Sequence, residues 1–136
     1  EKKKDLIIWY LMALLTEIKK YATKLSKTTK SSAVLLTQQY KTVLMQHIYT
    51  YRTVKEFANL LHVTPNHLNK CVKQTLNKNA QALLNEMLIL EAKSLLKYSN
   101  LTISEIAENL FNGTPSNFTR FFKKQTGLTP KAYQQS

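Results

Sequence analysis

Two short arrays of polar side chains carry the hydrogen-bonding chemistry of this sequence. The first is Asn66, Asn69 and Lys70; the second is Ser116, Asn117, Thr119 and Arg120. A carboxamide or guanidinium presents two polar groups in one plane, so it pairs with a flat edge that offers matching partners. Base edges are such surfaces: Asn suits adenine, and Lys or Arg suits guanine. Each array follows a Thr-Pro pair, Thr64-Pro65 and Thr114-Pro115. Thr as N-cap with Pro at the first helical position starts a helix, so both arrays fall on the first turns of a helix. Leu68, Cys71 and Val72 in one, and Phe118, Phe121 and Phe122 in the other, take the inner side. His67 lies on the flank. Lys73, Lys123 and Lys124 come one or two turns later and suit phosphate groups, as do Thr64 and Thr114 at the helix N-termini. Arg120 fits base readout, and it fits a phosphate contact or an internal ion pair equally well. Lys55, Lys78 and Lys131 read as a solvated face.

Other chemistries find less support. His67 and Cys71 are four residues apart with His62 nearby, a possible zinc set, but Cys71 falls where the helix needs core. No metal or other cofactor is expected. No Ser/His/Asp order or paired acidic cluster stands out, so the chain does not read as an enzyme. It has only two Gly, at 113 and 127, which disfavours phosphate-cradling loops and the tight turns of all-β folds. Cys71 is the lone cysteine, which excludes a disulfide framework and fits a reducing compartment.

The elements that must hold the arrays repeat. Thr53, Glu56 and Ala58 stand against Thr102, Glu105 and Ala107 at an offset of 49. Both Thr-x-x-Glu sets read as capping boxes. They open short helices expected over 53–62 and 102–111, with Phe57, Leu60 and Leu61, and Ile103, Ile106, Leu110 and Phe111, inward. From Thr64 and Thr114 onward the offset is 50, which predicts one more residue in the second turn. Asn77 stands opposite Gly127, the two residue types that best end a helix in the left-handed conformation. Helix, short turn, helix, twice over on a basic chain, is the helix-turn-helix arrangement. Between the two copies, 79–98 reads as one long helix that sets their separation, ~34 Å if both face one side of a duplex.

The 136 residues carry a net charge of +12, of which +7 falls in 1–52 and +5 in 53–136. Such a charge suits nucleic acid, an anionic membrane surface or acidic proteins. Residues 5–25 carry an apolar seam, Ile7, Leu11, Leu14, Ile18, Tyr21 and Leu25, spaced four and three in the rhythm of a coiled coil. Ile8, Trp9, Leu15 and Ala22 widen it. A homodimer through this helix and packing within the chain's own domain are both open. A protein-docking or membrane-surface module built on the same helix is the alternative function. The apolar run Leu6–Leu15 is too short to span a bilayer, which takes about 20 residues, and no small-residue cleavage site follows it to make a signal peptide.

The second copy and its surroundings resemble the AraC/XylS family of bacterial transcription regulators. The resemblance covers about 53–135 and rests on Ile106, Ala107, Phe118, Arg120, Phe122, Lys123, Lys124, Gly127, Pro130 and Tyr133 at the family's spacing, with the run 91–96 in the linker. It implies an all-α fold, two helix-turn-helix units joined by a linker helix, and recognition helices in adjacent major-groove segments. The chain departs from the family in three places: Phe111-Asn112 replaces Gly-Phe in the second turn, Asn77 replaces a closing Gly, and Leu88 replaces a basic residue of the linker helix.

The expected organisation is a dimerisation-type helix over 1–25, a flexible linker over 26–33, a connecting helix over 34–51 and a DNA-binding domain over 52–136. Within that domain the units are 53–76 and 102–126, with the linker helix at 79–98. The family resemblance implies double-stranded DNA as partner, RNA polymerase as a possible second one, no membrane, and a cytoplasmic location. The chain starts at Glu1 rather than Met, so it reads as a fragment whose effector domain lies outside it.

Overall fold

The computed structural model describes the backbone of residues 2–29 and 31–136, and the side chains of 4–20 and 31–136. It divides into two compact units, Glu1–Ser32 and Ala33–Ser136. The described residues form helices and no strand: α1 (Lys2–Thr29), α2 (Ser32–His47), α3 (Val54–Leu60), α4 (Pro65–Leu76), α5 (Ala80–Tyr98), α6 (Ile103–Phe111), α7 (Pro115–Thr126) and α8 (Pro130–Gln135).

Helix α1 continues through Ser26 to Thr29, and α2 begins at Ser32, so helix takes up most of the stretch expected as a flexible linker. A run of Ser, Thr and Lys lacks a packing face but contains no Gly or Pro, and nothing local breaks the helix there. In the first unit Leu6–Leu11, Met12, Leu14, Leu15 and Ile18 are all more than half exposed. The side chains of Tyr21 and Leu25, the last two seam positions, lie outside the described residues.

The second unit has one contiguous core. Phe57, Ala58, Leu68 and Val72 of the first helix pair are fully buried, as are Ile106, Ala107, Leu110, Phe118 and Phe122 of the second. Helix α5 packs against α3 and α4 of the first pair and against α6 and α8 of the second. Its apolar positions Leu83, Leu84, Leu88, Ile89, Ala92 and Leu96 are all buried, so the Leu at 88 that departs from the family is a core residue. Two polar groups anchor the N-terminus of α5: the Tyr40 hydroxyl donates to the Ala80 carbonyl at 2.8 Å, and the Ala80 amide donates to Asn69 Oδ1 at 2.9 Å. Burial pushes the Tyr40 hydroxyl far above the ordinary tyrosine range, which keeps it a donor. Helix α2 stops at His47, four residues short of the expected end; Thr50 and Tyr51 donate back to the His47 carbonyl and turn the chain toward α3.

The turns show how local rules are met with a single left-handed glycine among the described residues. Asn77, Gly127 and Asn112 hold φ of 59°, 83° and 45°, so Asn112 supplies the left-handed residue of the second turn in place of the family's Gly. In the first turn His62 does so, at φ 59°. The extra residue of the second unit is not in its turn: α6 has nine residues where α3 has seven, and the turn that follows it is one residue shorter. The full capping box forms only at Thr102, where Glu105 accepts from the Thr102 amide at 3.2 Å. At Thr53, Glu56 instead accepts from the Thr53 hydroxyl at 3.0 Å and the Arg52 amide at 3.3 Å.

Candidate nucleic-acid interface

Helices α4 and α7 start alike. Thr64 Oγ1 accepts from the His67 amide at 3.1 Å and Thr114 Oγ1 from the Asn117 amide at 3.2 Å, with Pro next in line in each. Each hydroxyl uses a lone pair for its cap and still has a proton to donate outward. Gly113, before the second cap, could carry a Cβ with nothing nearer than 3.4 Å, so the turn does not depend on its lack of a side chain.

Behind the caps the two helices present matching rows at the offset of 50. Asn66 and Ser116 are exposed in the first turn, as are His67 and Asn117. Lys70 and Arg120 follow one turn on, Lys73 and Lys123 the next, then Gln74 and Lys124, all exposed. The inner faces match as well: Leu68 and Val72 on α4, Phe118 and Phe122 on α7, are fully buried. Cys71 belongs to that inner face, with Sγ 3.7 Å from His67 Nε2. Gln74, opposite Lys124, is the one member of the rows that sequence reasoning passed over, although the offset of 50 marks it.

Two members of the expected arrays differ. Asn69 and Thr119 are half-buried. Asn69 Oδ1 is committed to the Ala80 amide, so a bidentate pair with adenine, which needs both ends of the carboxamide, is closed to it. The physical reason is that α5 begins beside this flank of α4 and needs its first amides capped. Arg120 is exposed and forms no ion pair among the described residues, which removes the internal salt bridge as its role.

The electrostatics follow from where the acids are spent. Glu56 and Glu105 serve helix starts, and Glu86 holds Lys78 at 2.8 Å. Glu91 accepts from the Tyr49 hydroxyl, and burial, then that hydrogen bond and the carboxylate's charge, push Tyr49 up to about 12. No ion pair engages Lys70, Lys73, Arg120, Lys123 or Lys124 among the described residues, so the two rows form an uncompensated cationic surface. Lys78, read as a solvated lysine, is tied to α5.

Comparisons with known proteins agree with this geometry. A family model described as "Helix-turn-helix domain" matches residues 57–136. Two Bacillus subtilis proteins described as uncharacterized HTH-type transcriptional regulators are similar. YobQ is 30% identical over 90 residues, covering 66% of this chain and 37% of the relative. YtdP is 34% identical over 83 residues, covering 61% and 11%. The chain thus spans between about a tenth and two fifths of the relatives it matches. Among solved structures, the C-terminal domain of AraT, a response regulator from Geobacillus stearothermophilus, superposes with a TM-score of 0.69 at 28% identity, over 77% of this chain and 88% of that one. The DNA-binding domain of AdpA, a global transcriptional factor solved with a target DNA, shares the fold at a TM-score of 0.65 and 18% identity, over 73% and 89%.

Proposed function

Since the chain belongs to the helix-turn-helix domain family, and within it to the AraC-type domains of transcription regulators rather than to enzymes, we propose that its second unit binds duplex DNA sequence-specifically to control bacterial transcription. The observation that carries this reading is the duplication itself: two identically capped helices offer the same row of exposed polar and cationic groups, free of acidic partners. Helices α4 and α7 enter adjacent major-groove segments. Asn66, Lys70, Ser116, Asn117 and Arg120 read base edges, Thr119 contributes its half-exposed hydroxyl, and Thr64, Lys73, Thr114, Lys123 and Lys124 hold phosphates. Asn69 positions α5 instead of reading. A cytoplasmic location and RNA polymerase as a protein partner belong to the same reading.

Binding-site selection from random duplexes tests the division of labour. Arg120→Ala should cost about 1–3 kcal/mol on preferred sites and relax preference at one or two positions, whereas Lys123→Ala should weaken all sequences about equally. Equal losses on every sequence for both variants would show that Arg120 does not read bases.

We assign α1 to self-association with a second copy. Its seam has coiled-coil spacing, and Ile7, Leu11, Leu14 and Ile18 are more than half exposed, an apolar area that water does not favour. No described helix is long and apolar enough to cross a membrane. Sedimentation should report a dimer that Leu11→Asp with Leu14→Asp converts to monomer. A monomeric parent that co-sediments with anionic vesicles would place α1 on membranes instead.

A further inference from the structure

Arg52 does a task that neither cap nor recognition helix performs. It sits half-buried between α2 and α3, outside both polar rows. One guanidinium nitrogen donates to the Ile48 carbonyl at 3.2 Å, just past the end of α2. The other donates at 2.7 Å to the carbonyl of Asn109, in the last turn of α6, 57 residues away. Both acceptors lie at helix C-termini, where unpaired carbonyls and the helix dipole concentrate negative charge. A planar guanidinium spans two such carbonyls at once; an ammonium on a flexible stem does not. Its Nε is buried with no hydrogen-bond partner, so the group gives up some hydration to hold this position.

The bond to Asn109 adds a direct polar link between two helix pairs whose larger contacts are with α5 as their common neighbour. The first helix-turn-helix is tied to the start of α5 by Asn69, and α2 is tied to it by Tyr40, while the second helix-turn-helix rests on α5 through α6 and is joined by α8. Without a direct strut, the angle between α4 and α7 rests on apolar packing alone, through α5 and the shared core. A rotation there moves both rows out of register with the groove.

We propose that Arg52 is a brace between the two helix-turn-helix units, a positioning residue that sets the relative orientation of α4 and α7. The proposal rests on the DNA-binding reading for its consequence, and its structural half is independent of that reading.

The test has one readout without DNA and one with it. Backbone residual dipolar couplings on the full chain should fit a single alignment tensor across α3–α4 and α6–α7. In Arg52→Met, which keeps the apolar stem, they should need two tensors or a lower degree of order for the second pair. In Arg52→Lys, which keeps the charge, the loosening should persist, and that variant serves if the Met protein does not fold. On DNA, affinity for a selected full site should fall roughly tenfold, as it would if about a tenth of the loosened protein held the competent orientation. Affinity for a half-site read by α7 alone should hold. A single tensor at parental order in both variants overturns the brace. Two tensors with no sequence-specific binding by the parent would keep the brace and overturn the DNA reading.

Discussion

Phe118→Ala is expected to lower the stability of the second unit by about 3–5 kcal/mol, enough to remove much of the margin of a small domain, about 5–15 kcal/mol. Phe118 is fully buried and sits within a chain of rings: Phe111 at 4.9 Å on one side and Phe122 at 5.8 Å on the other. Phe122 in turn meets Tyr133 of α8 at 5.6 Å, and the Lys97 ammonium lies 5.0 Å from the centre of that ring. Truncation at 118 opens a cavity where α6, α7 and α8 converge. Neighbouring aromatic rings are too rigid to refill it, which puts the loss in the upper part of the usual range. Urea unfolding of the full chain, followed by the protection of α7 amides, measures it. A loss below about 1 kcal/mol would show that the second core relaxes around the gap.

The second large effect concerns salt. Lys70, Lys73, Arg120, Lys123 and Lys124 are all exposed on α4 and α7. If Lys73, Lys123 and Lys124 each neutralise a phosphate, log K should fall against log salt with a slope of about −3, and affinity should drop roughly 40-fold between about 50 and 200 mM salt. Replacing Lys73, Lys123 and Lys124 by Gln should flatten the slope by about 3, whereas Asn66→Ala should leave it unchanged while altering sequence preference. A flat response in the parent protein would show that these lysines do not reach the backbone. Fluorescence anisotropy on one duplex across a salt series gives both slopes.

Much of the architecture was legible because its signals are local. A Thr that caps, a Pro at the first helical position and an Asn or Gly in the left-handed region act within four residues, so α4, α5 and α7 begin and end within a residue of their expected bounds. The same signal at Thr129-Pro130 marks α8 and was read only as part of a family pattern. Where a side chain had two local options, the choice was not legible. Glu56 could reach back to its own cap amide, as Glu105 does, but turned to Arg52 and the Thr53 hydroxyl. His62 in the left-handed region carries only a weak signal: histidine is more at home there than Leu61 or the β-branched Val63, but no helix-ending pattern singles it out.

The candidate interface divides in the same way. The residue types, their order behind each cap and the offset between the copies lie in the sequence itself, and they define two equivalent polar rows on a basic chain. Periodicity assigns a residue to a flank of a helix, but the helix next to that flank decides whether the residue meets solvent. Periodicity puts Asn69 on the reading flank, but α5 starts beside it, and Arg120, which its spacing leaves free to pair internally, has no ion pair among the described residues. The role of Arg52 depends on a carbonyl 57 residues away. Charge, caps and repeat were thus determined by the sequence alone, because they act through neighbours along the chain. The free or occupied state of each polar group was decided by the tertiary structure, because hydrogen-bond partners are set by distance in space.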